Sequence, residues 1–411
     1  MCHRKEHFRL RRWARRCFSV SVSLSIYKYI GTLFLVSFVC TSWSFSVPHR
    51  SRKRASMATT PKAAELLQQN RNLLRPTLVS CPVENCKDAS LSCWTFTGSC
   101  DASTAISIPH ECVFTEKLTS IVVTAFISVR TDRESEVWIE WMKNYSKIPA
   151  NVFAWLPRER PDIVRLFREH RKKYAGEFKT CVVPTAASQL PYGYAIKSVR
   201  EKFERGMELP AGWNRASPEV TIPAYVPLHF SKIPFMHATS NLVEANAYIW
   251  TDIGLARHVT NFGNLAWPNA ATVVNMSHDS LYLTSWSGYG DATEAWNSFC
   301  DGLPESFTEN RNLLSGTVIH AGRDALEQIL PVWTYVLESM IKQDAPWNNE
   351  QPVFSMIGCF YPRLIGVIDA NTIQRLWDTL RGLLPECENA HRASSSRLQI
   401  SSLSEVFSSR K

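Results

Sequence analysis

The chain combines two hydrophobic patterns, one typical of buried strands and the other of amphipathic helices. β-Branched and aromatic residues fill 119–129, 151–157 and 247–254, as they do in strands whose two faces are both covered. We therefore predict buried strands at these three places. Shorter apolar runs predict further strands at 273–277, 281–286 and 316–322.

Helical patterns occupy the intervals between the strands. Apolar side chains fall partly on one face in 134–148 and 160–175, and the segments 231–247 and 323–343 are also predicted to be helical. The alternation of strands with helices predicts an α/β fold with a mostly parallel central sheet flanked by helices. A short amphipathic helix within 55–80 precedes this core.

Ahead of these elements lies an uncharged run from Tyr29 to Val47. Its length matches the ~20 residues with which an α-helix spans the bilayer core. Eight Lys and Arg residues precede it, the last being Lys28, and four follow it, so the positive-inside rule places the N-terminus in the cytosol. This layout predicts a single-pass type II signal anchor with a lumenal body in the endoplasmic reticulum or Golgi. A cleaved signal peptide and an Arg-rich transit peptide remain alternatives.

The charge of the chain is concentrated at its N-terminus. The formal net charge is +9, but residues 1–54 hold twelve basic residues and one acid, a net of +11, which leaves 34 basic and 36 acidic residues in 55–411. A nucleic-acid-binding domain needs Lys and Arg spread over a folded face to neutralise phosphates. The body has no such excess, so we expect no nucleic-acid partner.

Cysteine usage supports the lumenal placement. Nine of the twelve Cys residues follow the anchor, and five of them lie between Cys81 and Cys112. There is no C-x-x-C pair of the kind that zinc sites use, so we expect disulfides formed in an oxidising compartment, with a zinc site as the alternative. The sequons at Asn144 and Asn275 would be glycosylated in that compartment.

Charge, cysteine and hydrophobic patterns divide the chain into six predicted segments. No fixed-period repeat is visible in them. The fifth segment is long enough to bury a sizeable core. The segments are a cytosolic basic segment (1–28), a transmembrane anchor (29–47), a stem (48–80), a Cys-rich region of loops (81–116), an α/β domain (117–385) and a Ser-rich tail (386–411).

The candidate chemistry centres on a carboxylate at a strand end. The sequence has no P-loop, G-x-G-x-x-G, G-x-S-x-G or H-E-x-x-H motif, so the hydrolases and dinucleotide enzymes that use them lose their main support. Asp252 follows the strand residues AYIWT (247–251) and precedes Ile253 and Gly254, and ligands of open α/β sheets bind outside the carboxyl ends of strands. A carboxylate beside Gly254 can hold a divalent metal and a diphosphate. A turn that merely ends the strand is the alternative.

The segment around Asp252 carries a family resemblance. Residues 229–259, HFSKIPFMHATSNLVEANAYIWTDIGLARHV, resemble the signature of the HtrL/YibB family, in which a Ser-Lys pair opens a helix leading into a strand that ends Trp-x-Asp-x-Gly, followed by an Arg. Residues 122–130 and 315–362 are similar to the family's first strand and closing block, and the resemblance covers roughly 117–370. The family is regarded as glycosyltransferase-like. The resemblance therefore implies a type A nucleotide-sugar fold, a nucleotide-sugar donor and a glycan acceptor.

The resemblance also implies roles for individual residues. Asp252 would bind a divalent metal (Mn²⁺ or Mg²⁺) or the diphosphate, and Glu350 would be the general base that activates the acceptor. Lys232 and Arg257 would supply positive charge to the departing diphosphate, where negative charge develops in the transition state. The other implied nucleotide-sugar contacts are Arg130, Trp250, Gly254 and His320.

The sequence departs from the family pattern at two points. It has no Asp-x-Asp, which weakens the case for tightly held Mn²⁺, and two Asn residues precede Glu350 where the family tends to be more acidic. Other interpretations also stay open: Lys232 and Arg257 as surface charges, Glu350 as a carboxylate of a helix's first turn, and His320 as a packed core residue. The alternative functions are a non-catalytic glycan- or protein-binding member of the same fold and a Cys-rich adhesion protein.

Overall fold

The fold is described from a computed structural model of the chain. All described residues belong to the compact unit Lys62–Lys411. The predicted anchor over 29–47 lies outside them, and no helix in the described part is long and apolar enough to span a membrane. The described residues are 78–81, 92–96, 105–127, 136–193, 197, 200–201, 204, 221–222, 224–258, 262–264, 268, 278–285, 300, 314–342, 350–369 and 391–392.

A small antiparallel sheet lies in and beside the Cys-rich region. Strand β1 (Val79–Ser80) pairs with β2 (Ser92–Thr95), which pairs with β3 (Ile106–Ile108). Phe96 and the two isoleucines of β3 are buried in the same cluster as one face of the main sheet. The expectation of loops throughout 81–116 is therefore wrong for the described part, because its apolar residues pack on the α/β core.

Within the described residues, the main sheet has eight strands in the order β11-β10-β8-β9-β7-β4-β5-β6. Strand β4 runs parallel to β7 and to β5, β5 runs parallel to β6, and β8 runs parallel to β10. Strand β9 runs antiparallel to both β7 and β8, and β11 runs antiparallel to β10. This confirms the predicted α/β class with a mostly parallel sheet. The strands are β4 (Leu118–Ala125), β5 (Val152–Pro157), β6 (Thr180–Thr185), β7 (Ala245–Thr251), β8 (Leu281–Ser285), β9 (Leu314–Ala321), β10 (Ile365–Asp369) and β11 (His391–Arg392).

Helices cover both faces of this sheet. The first two pack over one face, where alternate residues of β4, β5 and β7 are buried beneath them. The last three pack over the other face, in the larger apolar cluster. The helices are α1 (Glu136–Tyr145), α2 (Pro161–Tyr174), α3 (Tyr225–Phe230), α4 (Lys232–Leu242), α5 (Arg323–Lys342) and α6 (Gln351–Phe360).

Two predicted boundaries differ from the structure. The helix predicted over 231–247 ends at Leu242, and β7 begins at Ala245. The Tyr248 hydroxyl donates to the Val243 carbonyl (2.8 Å) and accepts from the Ala245 amide (3.1 Å). These two hydrogen bonds fix the turn between the helix and the strand. The long helix α5 matches its prediction and continues through Pro331.

The strand order reverses beside β4. From β4 the chain moves outward to β5 and β6, with α1 and α2 on one face, and then crosses to the other side of β4 through α4 and β7. Such a reversal leaves a crevice at the carboxyl ends of the two strands, where open α/β sheets bind their ligands. We therefore expect a ligand site at the carboxyl ends of β4 and β7.

Disulfides tie two peripheral elements to the core. Cys112, in a 3₁₀ helix (His110–Cys112), is bonded to Cys181 of β6, and Cys300 is bonded to Cys359 of α6. Cys81 is also disulfide-bonded. These bonds confirm the prediction of disulfides and are consistent with a lumenal or secreted protein.

Candidate functional site

The carboxyl ends of β4 and β7 are joined by side-chain hydrogen bonds. Thr124 Oγ1 donates to the Thr251 carbonyl over 2.7 Å, and the Thr251 hydroxyl bonds the buried hydroxyl of Tyr145 on α1. All three side chains are fully buried. The backbone that leads into Asp252 is therefore held in place from both sides.

Asp252 is the first residue beyond β7, and its carboxylate is oriented by two donors. The indole Nε1 of Trp250 donates to Oδ1 over 2.8 Å, and Lys232 Nζ lies 3.1 Å from the carboxylate. Its backbone amide donates to the Thr317 carbonyl of β9 (3.1 Å). The Asp252 side chain is 33% exposed, so a fixed carboxylate faces solvent at the strand-order reversal.

Lys232 begins α4 beneath this carboxylate and is 4% exposed. Its ammonium group donates to Asp252, to the Gly316 carbonyl (2.9 Å) and to Glu350 Oε1 (2.6 Å), which accounts for its three donor hydrogens. Burial alone would lower the pKa of Lys232, but the charges of Asp252 and Glu350 raise it above its ordinary value. Lys232 is therefore a permanent cation with no donor left for a ligand.

Glu350 precedes α6 and is almost fully buried. Its Oε1 accepts from Lys232 and its Oε2 bonds His229 Nδ1 over 2.6 Å. Burial alone would raise the pKa of Glu350, but Lys232 and His229 hold it well below its usual range. A Cβ atom on Gly316 would clash with Glu350 Oε1, so a residue without a side chain is needed where this carboxylate packs.

His229 completes the group and was missed by the sequence reasoning. Its ring contacts Tyr225 edge-on, with centroids 4.4 Å apart. Burial alone would lower the pKa of His229, but the charge of Glu350 raises it to about 9, so the imidazole is a cation at neutral pH. The signal was available, because His229 and Lys232 are three residues apart, a spacing that places side chains on one side of helical backbone.

These four residues, here called the charge cluster (His229, Lys232, Asp252, Glu350), carry two positive and two negative charges. The buried charges therefore compensate one another, as buried ions must. Only the Asp252 carboxylate combines ionisation with substantial exposure. The cluster can present one oriented anion to a ligand, which suits hydroxyl groups or a cation.

The structure brings together four of the residues predicted from the sequence and separates others. Trp250, Lys232, Asp252 and Glu350 are in direct contact. Gly254 lies near them in a 3₁₀ helix (Ile253–His258), with the Trp138 ring 3.4 Å from where its Cβ would be. Arg257 is exposed on the same 3₁₀ helix, and Arg130 lies outside the described residues.

His320 lies apart from the charge cluster. It pairs with Ile249 across β7 and β9, so it is on the sheet face opposite to Trp250. Among the described residues neither ring nitrogen has a hydrogen-bond partner, and burial, aided by the charge of His278, lowers its pKa to about 3. His320 is therefore a neutral, buried residue of the core.

The structure describes one of the two predicted glycosylation sites. Asn144 lies on α1, where its Nδ2 donates to the Ala256 carbonyl (3.4 Å) and its Oδ1 accepts from the Phe262 amide (3.3 Å). A glycan on Asn144 would have to displace both contacts. Asn275 lies outside the described residues.

The residues present fit a metal only in part. No three His, Cys, Asp or Glu side chains of the described ranges form a group that could hold an ion. Asp252 is partly exposed and could supply one oxygen ligand, whereas Glu350 is buried and its oxygens are bonded to Lys232 and His229. Because Mg²⁺ is usually held by one or two carboxylates together with substrate phosphates and water, Asp252 fits a metal that arrives with a diphosphate.

Comparisons with known proteins supply no further constraint. No protein-family model matches the chain. No curated protein is significantly similar to it.

Proposed function

We propose that the protein is a glycosyltransferase that binds a nucleotide-sugar donor at the carboxyl ends of β4 and β7 and transfers the sugar to a glycan or glycoprotein acceptor. The observation that carries the proposal is Asp252, an ionised carboxylate that is oriented by Trp250 and Lys232 and exposed at the strand-order reversal. The resemblance to the HtrL/YibB family at 229–259 supports the same assignment, with a type A fold.

In this proposal Asp252 is the residue that touches the donor. Its carboxylate accepts hydrogen bonds from donor hydroxyls or supplies one oxygen ligand to a divalent metal bound to the diphosphate. That metal, when present, would neutralise the charge that develops on the leaving diphosphate. Arg257, exposed five residues farther along, supplies a cation to the same diphosphate, and Gly254 lets the backbone approach it.

Lys232, Glu350 and His229 act as positioning residues. Lys232 has no donor left for the diphosphate, and Glu350 is buried between Lys232 and His229, out of reach of an acceptor hydroxyl. They instead hold the Asp252 carboxylate oriented before the substrate arrives, which is how preorganised sites lower barriers. This gives Glu350 an electrostatic role in place of the general-base role that the resemblance implies.

The experiment is a transfer and hydrolysis assay of the full-length protein with a panel of UDP- and GDP-sugars. We expect turnover with at least one donor and a loss of roughly tenfold to hundredfold in kcat/KM for Asp252→Asn, because one charge-assisted contact is removed. The matched control is Asp162→Asn, whose carboxylate is at the surface and bonded to Arg160. Turnover that Asp252→Asn leaves unchanged would overturn the site.

A second candidate function is ligand binding without transfer. The observation that favours it is that Asp252 is the one exposed carboxylate of the charge cluster, whereas Glu350 is buried, so no second carboxylate of the cluster is accessible to activate an acceptor. Calorimetry would then show a nucleotide sugar or glycan bound with Asp252-dependent affinity and no turnover across the donor panel. Turnover of any donor excludes this candidate.

We also propose that the α/β domain is lumenal, in the endoplasmic reticulum or Golgi, behind a type II anchor at 29–47. The disulfides of Cys112 with Cys181 and of Cys300 with Cys359 support an oxidising compartment. Protease protection of the domain in sealed microsomes tests the topology. Digestion without detergent would contradict it.

A further inference from the structure

A cluster of cations surrounds an exposed tyrosine at the end of the molecule away from Asp252. Helices α1 and α2 end a few residues before β5 and β6 begin, so their C-termini lie at the edge where these parallel strands start, opposite to the crevice at the strand ends. Side chains from the C-terminal ends of α1 and α2 and from the segment after α1 form what we call the lysine–tyrosine surface (Lys143, Lys147, His170, Lys173, Tyr174).

Tyr174 is the centre of this surface. It is 43% exposed, and two ammonium groups lie near its ring, Lys173 Nζ at 4.9 Å and Lys147 Nζ at 5.6 Å from the centroid. The ring of His170 lies beside it, with centroids 5.7 Å apart. The three residues of α2 and the one from the segment after α1 thus form one continuous polar and aromatic patch.

The positive charge of the surface is only partly compensated. Burial and then the charges of Lys143, Lys147 and Lys173 lower the pKa of His170, in agreement with the positions of Lys147 and Lys173 at the Tyr174 ring. Lys143 is paired with Glu140 (2.5 Å). Within the described part of the chain, the contacts of Lys147 and Lys173 are with the Tyr174 ring, and neither makes an ion pair with an acid.

The helix dipole does not account for this arrangement. Cations are favoured at helix C-termini, which explains a lysine in the last turn of α2, but Lys147 comes from the segment after α1 and still approaches the same ring. The two ammonium groups offer positive charge for an anionic group, and the aromatic ring offers an apolar surface for the C–H face of a sugar.

We infer that the lysine–tyrosine surface binds an anionic glycan, with sulfate or carboxylate groups at Lys147 and Lys173 and a sugar ring against Tyr174. A nucleic acid has the same charge, but the disulfides indicate a lumenal or secreted protein and residues 55–411 carry a net charge of −2. This inference is independent of the proposed sugar transfer, because it concerns other residues at the other edge of the sheet.

The test is the affinity of the full-length protein for a fluorescent heparin hexasaccharide, measured by anisotropy at fixed ionic strength. We expect Lys147→Gln/Lys173→Gln to weaken binding about tenfold, since two charge contacts are lost, and Tyr174→Ser to weaken it severalfold without any change of charge. The matched control is Lys117→Gln/Lys197→Gln, which removes the same charge elsewhere and should leave the affinity within about twofold.

Three results would overturn the inference. Equal losses in the two double variants would show that only net charge matters. Equal affinity for a desulfated hexasaccharide would remove the role of the anionic groups. Binding of a single-stranded DNA oligonucleotide of equal charge, as tight as that of the hexasaccharide and equally sensitive to Lys147→Gln/Lys173→Gln, would assign the surface to polyanions in general. Unchanged thermal midpoints confirm that the variants are folded.

Discussion

Two buried cations on opposite faces of the sheet have opposite electrostatic environments. Lys232 is surrounded by two carboxylates and a carbonyl, and its pKa is raised. Arg171 is equally buried, but it donates to Thr180 Oγ1 and to the carbonyls of Ser146, Ile148 and Ala150, at distances of 2.5 to 3.1 Å, and burial lowers its pKa to about 10.

The partners of the two cations distinguish a structural role from a role in positioning a site residue. The partners of Arg171 are neutral, and its guanidinium closes the segment between α1 and β5 by satisfying backbone carbonyls. Lys232 instead holds an anion at the surface, and a buried ion pair of that kind adds little stability relative to apolar residues. We conclude that Arg171 serves the fold and that the charge cluster serves the Asp252 carboxylate.

The largest expected effect comes from removing Lys232. Lys232→Met should lower the free energy of unfolding by about 3–5 kcal/mol, because Glu350 is left buried without its main counter-ion. Urea unfolding measures the change. The double variant Lys232→Met/Glu350→Gln should recover much of the loss, since the uncompensated charge is gone. A double variant as unstable as the sum of the two single variants would contradict the pairing.

His229 predicts a pH dependence on the alkaline side. Its pKa rises from 6.5 in the unfolded chain to about 9 in the fold, so its stabilising contribution is complete below pH 6.5 and is lost as the pH rises to about 9. The loss amounts to roughly 3 kcal/mol. Unfolding free energies at pH 6 and 9.5 measure it, and His229→Gln should flatten the difference. An equally steep dependence in that variant would assign it to another group.

Arg171 should behave differently when it is removed. Arg171→Met should cost about 2 kcal/mol, because several buried carbonyls lose their donor, and Arg171→Lys should recover part of that. The pH dependence between 6 and 9.5 should stay unchanged, since no acid is left unpaired. Loss of the His229 transition in Arg171→Met would show that the two regions are coupled.

The smallest expected change comes from Gly316. A methyl group there would meet Glu350 Oε1, so Gly316→Ala should cost about 1–2 kcal/mol by displacing the carboxylate. It should also lower the pKa of His229, which NMR titration of the imidazole measures. Gly254→Ala is the matched control, because its Cβ would meet only Trp138 at 3.4 Å. Equal effects of the two substitutions would remove the special role of Gly316.

The sequence predicts most of the fold and three of the four residues of the charge cluster, all except His229. Apolar runs locate β4, β5 and β7, and the position of Asp252 at a strand end follows from β7 alone. The residues that bond Asp252 depend on strand order and register, which no local pattern determines. His320 shows this most clearly, because only the pairing with Ile249 places it on the face away from Trp250.

Two features of the charge cluster have a local signal in the sequence. A glycine inside a strand often marks a close approach by another group, as Gly316 does for Glu350. A His three residues before the Lys that opens a helix places both on one side of the backbone. The contact between Lys232 and Glu350 joins residues 118 positions apart, so it needed the tertiary structure.

The affinity of the wild-type protein and of Asp252→Asn for the preferred nucleotide sugar, measured by calorimetry, tests the central claim most directly. We predict that Asp252→Asn binds it roughly tenfold to hundredfold more weakly, whereas Arg171→Met and Asp162→Asn bind it as the wild type does. Wild-type affinity in Asp252→Asn would contradict the claim that this carboxylate is where the ligand is held.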